Sequence, residues 1–526
     1  MALPRVEIRR RPSMAFFAIL AIVMVIGSYL FVALLAAGSV YLPYIIFSRA
    51  QSEHGWDVLL LLFGIVIAAT MLWSLIPRRE EFTAPGLLLD RSRHPRLFAE
   101  IDSIAAALNE PVPRDVYLIG DANAFVADRG GVLGFGTRRI IGLGLPLLST
   151  MTVSQFRAVL AHEFAHYYGG DTSLGPWVYR TKASIVRIFE NIGSVGQLAG
   201  IAVLGLMYMI VITLLKWYFV SFLRISNFVS RRQEYRADEL ACLVAGRQNL
   251  IDGLQAIHHA ASVWPTYWKQ EVQPVLSMGS LVAIGDGFTR FMAMPQISEA
   301  VSKSLERRLR EEKTRPYDTH PPLRDRIVAA QKLPDDFAPQ DSQTASCLLG
   351  NLRDAEISFV EDRMDDIRPG SLKYVPWDDV AIRVTIPVWQ QLVSEYSEPL
   401  SGVTAESLPD EVPKLREVRS RIRDPKGMLL SPDQRTARAA GLFAAALALA
   451  MIRSGWELQV EPGLFRMSCG DREFNPFLAV NQLIAKKLSR EAWTVRCKDL
   501  GLSQLVLLPS SSAEQNPEPS PQTEIS

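Results

Sequence analysis

Within Ala161-His162-Glu163-Phe164-Ala165-His166-Tyr167, two histidines and a glutamate form the pattern H-E-x-x-H, and the segment around them reads as helix. On a helix His162 and His166 lie one turn apart on the same face, so both imidazoles can reach one zinc ion at ~2.0–2.1 Å. Glu163 then stands beside that ion. A carboxylate there can take a proton from an attacking water and hand it to a departing amine, as cleavage of a peptide bond requires. The chain has seven histidines. Chance would give this pattern on the order of once in two hundred such sequences, so it must be weighed against a plain histidine pair on a helix face.

A second segment supplies what the first lacks. Ser230-Arg231-Arg232-Gln233-Glu234-Tyr235-Arg236-Ala237-Asp238 reads as helix and continues through Leu240 and Ala241. Glu234 and Asp238 are four apart and share a face, while Ala237 and Ala241 let another helix approach closely. Zinc hydrolases keep three protein ligands and leave the fourth position to water, which makes Glu234 the candidate third ligand. Asp238 is then placed to orient a ligand histidine from behind. Read alone, a charged helix of this kind is more often a solvated face.

The helix that carries the histidines has its own end signals. Thr152 with Gln155 has the form of a capping box, Phe156, Val159, Leu160 and Phe164 make one apolar stripe, and Gly169-Gly170 supplies a stop. Ahead of it, Leu97, Ile101, Ile104, Ala105 and Leu108 predict a helix after Pro95, closed by Pro111 and Pro113. Val116 to Ile119, Asn123 to Val126 and Arg139 to Leu143 predict three strands, the last two separated by the turn signal Gly130-Gly131. A small sheet therefore precedes the H-E-x-x-H helix.

H-E-F-A-H followed by S-R-R-Q-E-Y-R-A-D, with apolar helices before and between them, resembles the M48 family of membrane-associated zinc metalloendopeptidases, which includes bacterial HtpX-type proteases and the eukaryotic CAAX prenyl proteases. Asp121-Ala122-Asn123-Ala124-Phe125 resembles the family's N-A-F segment, which implies that Asn123, Ala124 and Phe125 belong to an edge strand on which a substrate is laid as an added strand. Thr319-His320-Pro321-Pro322-Leu323-Arg324-Asp325-Arg326-Ile327 resembles the family's H-P-P-L element. The resemblance gives His320 and Arg326 the role of stabilising the tetrahedral intermediate. Both can donate to a developing oxyanion, and Pro321 suits the first turn of a helix that presents His320 at its positive end. The resemblance covers residues 90–332 and implies one Zn2+ per chain. Its substrates would be proteins or peptides, membrane proteins among them, in a quality-control role. His258-His259 lies outside every motif and reads as helix surface or core.

Composition agrees with a membrane enzyme. Apolar residues make up 48 % of 526 and the mean hydropathy is positive. A net charge of +1, with no basic helix interleaved with aromatics, gives no argument for nucleic acid. Cys242, Cys347, Cys469 and Cys497 are scattered, so neither a disulfide framework nor a cysteine zinc site is indicated, and a reducing compartment fits. After Arg5, Arg9, Arg10 and Arg11 the chain runs without charge from Met14 to Ser48, longer than the ~20 residues a bilayer crossing needs. A second uncharged run, Val58 to Ile76, ends at Pro77-Arg78-Arg79. Arginines at the outer ends of the pair place both ends, and the catalytic stretch, in the cytoplasm.

A third run, Asn191 to Leu215, lies between the two ligand segments. The chain cannot cross a bilayer an odd number of times there and still bring Glu234 back to His162. A re-entrant or interfacial hairpin over about 191–223, bent near Gly196, Gly200 or Gly205, is therefore expected, with an ordinary crossing paired with a poorer one as the alternative.

The fold class expected is a mainly α (α+β), membrane-anchored, zincin-like metallopeptidase: a helical catalytic core with a small sheet, an N-terminal transmembrane hairpin and a C-terminal α+β accessory domain. Residues 1–80 form the anchor, 81–332 the peptidase domain, 333–345 a linker, 346–508 the accessory domain and 509–526 a disordered tail. In the accessory domain an Ala-rich helix spans Ala437 to Met451, and Trp456, Leu458 and Val460 precede Glu461-Pro462-Gly463 in a hairpin. The chain reads as a multi-pass protein of the cell (inner) membrane whose catalytic domain is cytoplasmic and hydrolyses proteins. The alternatives are a CAAX-type prenyl-protein endoprotease of the same chemistry and a non-catalytic membrane scaffold that keeps the fold.

Overall fold

The two N-terminal uncharged runs become α1 (Pro12–Arg49) and α2 (Trp56–Leu75) in the computed structural model. It describes residues 12–49, 55–76, 82–130, 137–167, 175–196, 202–313, 315, 318–334, 340–364, 368–421 and 431–508. The connection between α1 and α2 is short, so the helices run antiparallel. Gly64 on α2 sits so close to Ser39 on α1 that a β-carbon there would stand 2.0 Å from the Ser39 carbonyl oxygen. Leu60, Phe63, Ile67 and Met71 face inward at helical spacing, while Leu62, Ile65 and Trp73 point outward and exposed. Such an apolar outer surface belongs in lipid.

Two more helices join this pair, α6 (Gly175–Val195) and α7 (Ala202–Ala245). Ile188, Ile192, Leu204, Val211 and Leu215 share one cluster with Val32, Ile67 and Met71. Lys182, Arg187 and Asn191 of α6 each find local partners, which helps an interrupted run to pack here. Arg187 donates to the Ser74 carbonyl at 3.3 Å and to Ser184 Oγ at 2.8 Å, Asn191 donates to Ser74 Oγ at 2.9 Å, and Lys182 donates to Asn227 Oδ1 at 3.1 Å. Asn191 is thus level with the end of α2. Met207 lies against Gly64, in the middle of α2, and Tyr218 meets Ser28 of α1 at 3.0 Å, back at the level of the α2 end. The chain enters along α6 and returns along α7 on the same side. The bend falls between Val195 and Ala202, and residues 197–201, with Gly200, lie outside the described set.

The helix that carries His162 and His166 follows a four-stranded sheet. Its strands are β1 (Leu87–Leu88), β2 (Asp115–Ile119), β3 (Ala124–Arg129) and β4 (Arg138–Gly144), in the order β1-β2-β4-β3, with β2 and β4 parallel and the other pairs antiparallel. Helix α3 (Pro95–Ala107) separates β1 from β2, and α4 (Leu145–Thr150) leads into α5 (Val153–Ala165). The expected capping box is present: Gln155 N donates to Thr152 Oγ1 at 3.2 Å and Thr152 N donates to Gln155 Oε1 at 3.0 Å. Phe156, Val159, Leu160 and Phe164 are buried. The Gly169-Gly170 stop lies outside the described residues. Gly246, at φ +89, ends α7 in the left-handed conformation that glycine adopts without strain, and α8 (Arg247–Tyr267) follows.

The chain divides into two compact units, 1–265 with 295–367 and 266–294 with 368–526. This differs from a division at 333–345, for local reasons. Residues 341–345 run along the start of α5, with Val153 N donating to Gln343 O at 2.8 Å and Ala345 N to Met151 O at 2.8 Å. Helix Leu352–Arg363 stays with the first sheet, where the Phe359 ring lies against Gly120. Residues 266–294 belong to the second unit because Ser280–Val282 pairs in parallel with Lys373–Val375 and Trp377 Nε1 donates to Ala283 O at 2.8 Å. That unit is built around the buried helix Pro432–Arg453 and carries the expected hairpin, Glu457–Glu461 with Leu464–Cys469, turned by Pro462 and by Gly463 at φ +77. The tail from 509 is outside the described residues.

Four helices among the described residues are long and apolar enough to cross a membrane: Ile22–Arg49, Trp56–Leu75, Ala202–Ala245 and Pro432–Arg453. The last has 67 % of its apolar window buried inside the protein, against 22 %, 39 % and 22 % for the other three. It is the core of its unit, and the lipid-facing candidates are α1, α2 and α7. Gly64→Val is expected to destabilise the α1–α2 pair by about 1–3 kcal/mol or more, as over-packing does, seen as earlier loss of helical signal on heating in detergent. Gly38→Val, where a β-carbon meets nothing within 4 Å, serves as the control that leaves the melt unchanged.

Candidate metal centre

α5 contributes His162 and His166, and α7 brings Glu234 against them. The two imidazole centroids are 4.8 Å apart, edge to face. His162 Nε2 stands 3.5 Å from Glu234 Oε2 and His166 Nε2 stands 3.4 Å from Glu234 Oε1. One ligand atom from each of the three lies within 4.8 Å of the others, and among the described residues no other group of histidine, cysteine and carboxylate does so. Glu234 Oε2 is buried and has no hydrogen-bond donor, its contacts to His162 and Arg326 (3.4 Å) being outside hydrogen-bond geometry. A buried carboxylate oxygen left unpaired is costly. A divalent cation between these three groups removes that cost, and two imidazoles with one carboxylate are a donor set that zinc accepts.

Behind the ligands lies a second carboxylate. Asp238 Oδ1 is 3.0 Å from His162 Nδ1, which turns Nε2 of that ring toward Glu234. Arg326 donates to Asp238 through Nε at 2.9 Å and Nη2 at 2.6 Å, and its Nη2 lies 3.3 Å from His162. Burial and the Arg326 charge both depress the His162 pKa, but the Asp238 and Glu234 carboxylates outweigh them and hold it at about 9. His166 is pushed down to about 4, by burial and then by the charge on His162. The centre thus demands positive charge between its two carboxylates. Glu163, half-buried at the cavity wall, has its pKa raised by desolvation, which suits a carboxylate that must accept a proton.

The expected site residues divide by placement. His162, Glu163, His320, Arg326 and Asn123 line one cavity of about 1030 Å³. His320 Nδ1 is 2.9 Å from Glu234 Oε1 while the side chain stays 65 % exposed, so it faces the cavity. It precedes Pro322, which caps the helix Leu323–Gln331, and so stands just ahead of that helix's first turn. Arg326 is buried with its guanidinium engaged by Asp238, and it braces the ligands from behind. Ala124 lies on β3 at the sheet edge. Phe125 does not point at the cavity: its ring covers Gly142 and packs with Tyr117, Ile119 and Ile140 on the sheet. His258 and Glu312 also line the cavity, and burial lowers the His258 pKa to about 4. Neither belongs to a motif, and only the folding of α8 and the segment after helix Pro295–Glu311 brings them here.

Fold and site together define a helix-borne H-E-x-x-H metal centre of the metallopeptidase class. Residues 91–333 match Peptidase family M48. It is 29 % identical over 202 residues to Protease HtpX of Xylella fastidiosa (strain M12), covering 36 % of this chain and 64 % of that protein. It is 28 % identical over 245 residues to Protease HtpX of Actinobacillus pleuropneumoniae serotype 5b (strain L20), covering 45 % and 72 %. It is 27 % identical over 174 residues to Protease HtpX of Xanthomonas oryzae pv. oryzae (strain MAFF 311018), covering 31 % and 56 %. The chain thus spans 64 % of the length of the Xylella relative. No solved structure matches it. With its apolar helices, it is a membrane protein that carries an M48 domain.

Removing the brace behind His162 should loosen metal without removing a ligand. Asp238→Ala is expected to weaken zinc binding about 10–100-fold, measured by competition with a chromogenic chelator.

Proposed function

We propose that this protein is a membrane-anchored, zinc-dependent endopeptidase that hydrolyses peptide bonds of protein substrates. The observation that carries the reading is the buried Glu234 carboxylate, its Oε2 without a hydrogen bond, facing two helix-borne imidazoles, with Glu163 in the adjoining cavity. One zinc ion per chain, held by His162, His166 and Glu234, would polarise the scissile carbonyl and acidify a water. Glu163, whose partly desolvated carboxylate favours protonation, takes the proton of the attacking water and returns it to the leaving amine. His320, exposed to the cavity, donates to the developing oxyanion. Arg326 holds Asp238, and Asp238 holds the His162 ring, so the general acid–base chemistry proceeds on a fixed frame.

The arginines flanking α1 and α2 support a cytoplasmic active site. Helix α7 supports substrates at or near the bilayer surface. Glu234 follows Tyr218 by 234 − 218 = 16 residues, or ~24 Å along a helix at 1.5 Å per residue. Membrane proteins brought for quality control would meet the cavity at that height. The edge strand β3, with Asn123 at the cavity, supports binding of the substrate as an added strand.

Two variants test the reading. Glu163→Gln is expected to retain zinc by mass spectrometry while cleavage of casein or a membrane-protein substrate falls by about 10²–10⁴-fold. Activity that survives loss of the metal would sink the assignment. His320→Ala is expected to lower kcat by about 10²–10³-fold, the effect of deleting one oxyanion donor, with little change in KM. A farnesylated C-terminal peptide included in the same assays separates general proteolysis from prenyl-protein processing.

A further inference from the structure

Tyr167, directly after His166, does something the reaction does not require. The ladder of β3 determines which of its backbone groups are free. Gly144 N donates to Asn123 O at 2.9 Å, and the register sets Ala124 opposite Leu143 and Val126 opposite Ile141. Hydrogen-bonded pairs alternate along an antiparallel ladder, so the odd-numbered residues of β3 bond to β4. Ala124, Val126 and Asp128 therefore turn their N–H and C=O groups to the outer edge. The other side of β4 agrees with this phase, because Arg139 O accepts from Arg114 N on the β2 side at 3.0 Å.

At the outer edge the Tyr167 hydroxyl donates to Val126 O at 3.0 Å. One phenol O–H thus satisfies an outward carbonyl that the N–H of a neighbouring strand would otherwise meet. The ring is held there. The Arg139 guanidinium lies 4.1 Å from its centroid and is itself anchored by Glu110 at 3.2 Å and Asp128 at 3.4 Å.

We propose that Tyr167 is the stop of the substrate-binding edge: a substrate strand can pair with Ala124 and the Val126 amide but no further, so only a short extended peptide segment is gripped on that side of the cleavage site. This specificity role rests on the peptidase reading. It predicts a limit on useful peptide length that the metal centre itself does not impose.

The test uses full-length, zinc-loaded protein in the Glu163→Gln background, which binds without turnover, titrated with fluorescent peptides lengthened two residues at a time from either end. With Tyr167 present, affinity should stop improving once the edge is filled to Val126. With Tyr167→Ala added, two further residues at one end should raise affinity by at least about fivefold, as new backbone hydrogen bonds form. Identical length dependence in both proteins overturns the proposal. Should Tyr167→Ala lose its zinc, Tyr167→Ser decides: it must show the same gain for the longer peptides, and an unchanged length dependence overturns the stop. Length-dependent binding of this kind beside a wild type that cleaves no peptide would remove the peptidase reading and keep the stop. Binding of no peptide at all would remove both.

Discussion

Two carboxylates buried where α7 crosses α5 set the terms for the rest of this domain. Glu234 and Asp238 are each 2 % exposed, and a charge taken out of water must be met by charge of the opposite sign. Arg326 answers Asp238, His162 lies between the two, and Glu234 Oε2 is left for a cation. The helix Leu323–Gln331 has to dock where it does because its arginine is needed there, and docking it sets His320 at the cavity rim. The imidazole proposed to meet the oxyanion is thus placed by a residue that neutralises charge. Buried carboxylate networks are poor stabilisers but good locators, since their partners tolerate little displacement.

The same helix that carries those carboxylates also belongs to the apolar bundle. α7 packs against α1, α2 and α6 through its first half and against α5 through its second. No loop separates the two environments. α6 makes this possible by returning the chain on the side it entered, with Arg187 and Asn191 hydrogen-bonded to the last turn of α2.

What the sequence revealed was local. The H-E-x-x-H spacing, the Thr152–Gln155 box, the Glu234–Asp238 repeat and the Pro462-Gly463 hairpin each depend on residues within a turn or two of one another, so pattern and structure coincide. What it concealed was tertiary. Arg326 reads from its motif as an oxyanion donor, but only the fold reveals that Asp238 occupies its guanidinium. Phe125 alternates correctly for a strand, yet which face holds the cavity depends on α5 packing above the sheet. The division of the chain was hidden because it turns on a parallel pairing between Ser280–Val282 and Lys373–Val375, some ninety positions apart (373 − 280 = 93). Charges on α6 argued against close packing until their partners on α2 and α7 appeared.

The unbroken course of α7 also sets an angular constraint. Each residue of a helix advances its side chain by about 100°. One residue gained or lost between Tyr218 and Glu234 would swing the carboxylate away from α5 while the bundle end, stacked through Tyr218 on Phe31, stayed where it was. The segment 219–233 is therefore fixed in length as a spacer with a defined phase, even where its side chains are free to vary. Changes of seven residues, which complete nearly two turns, would be the smallest to restore the bearing of Glu234 with little rotation, and they would still displace it by ~10 Å along the axis.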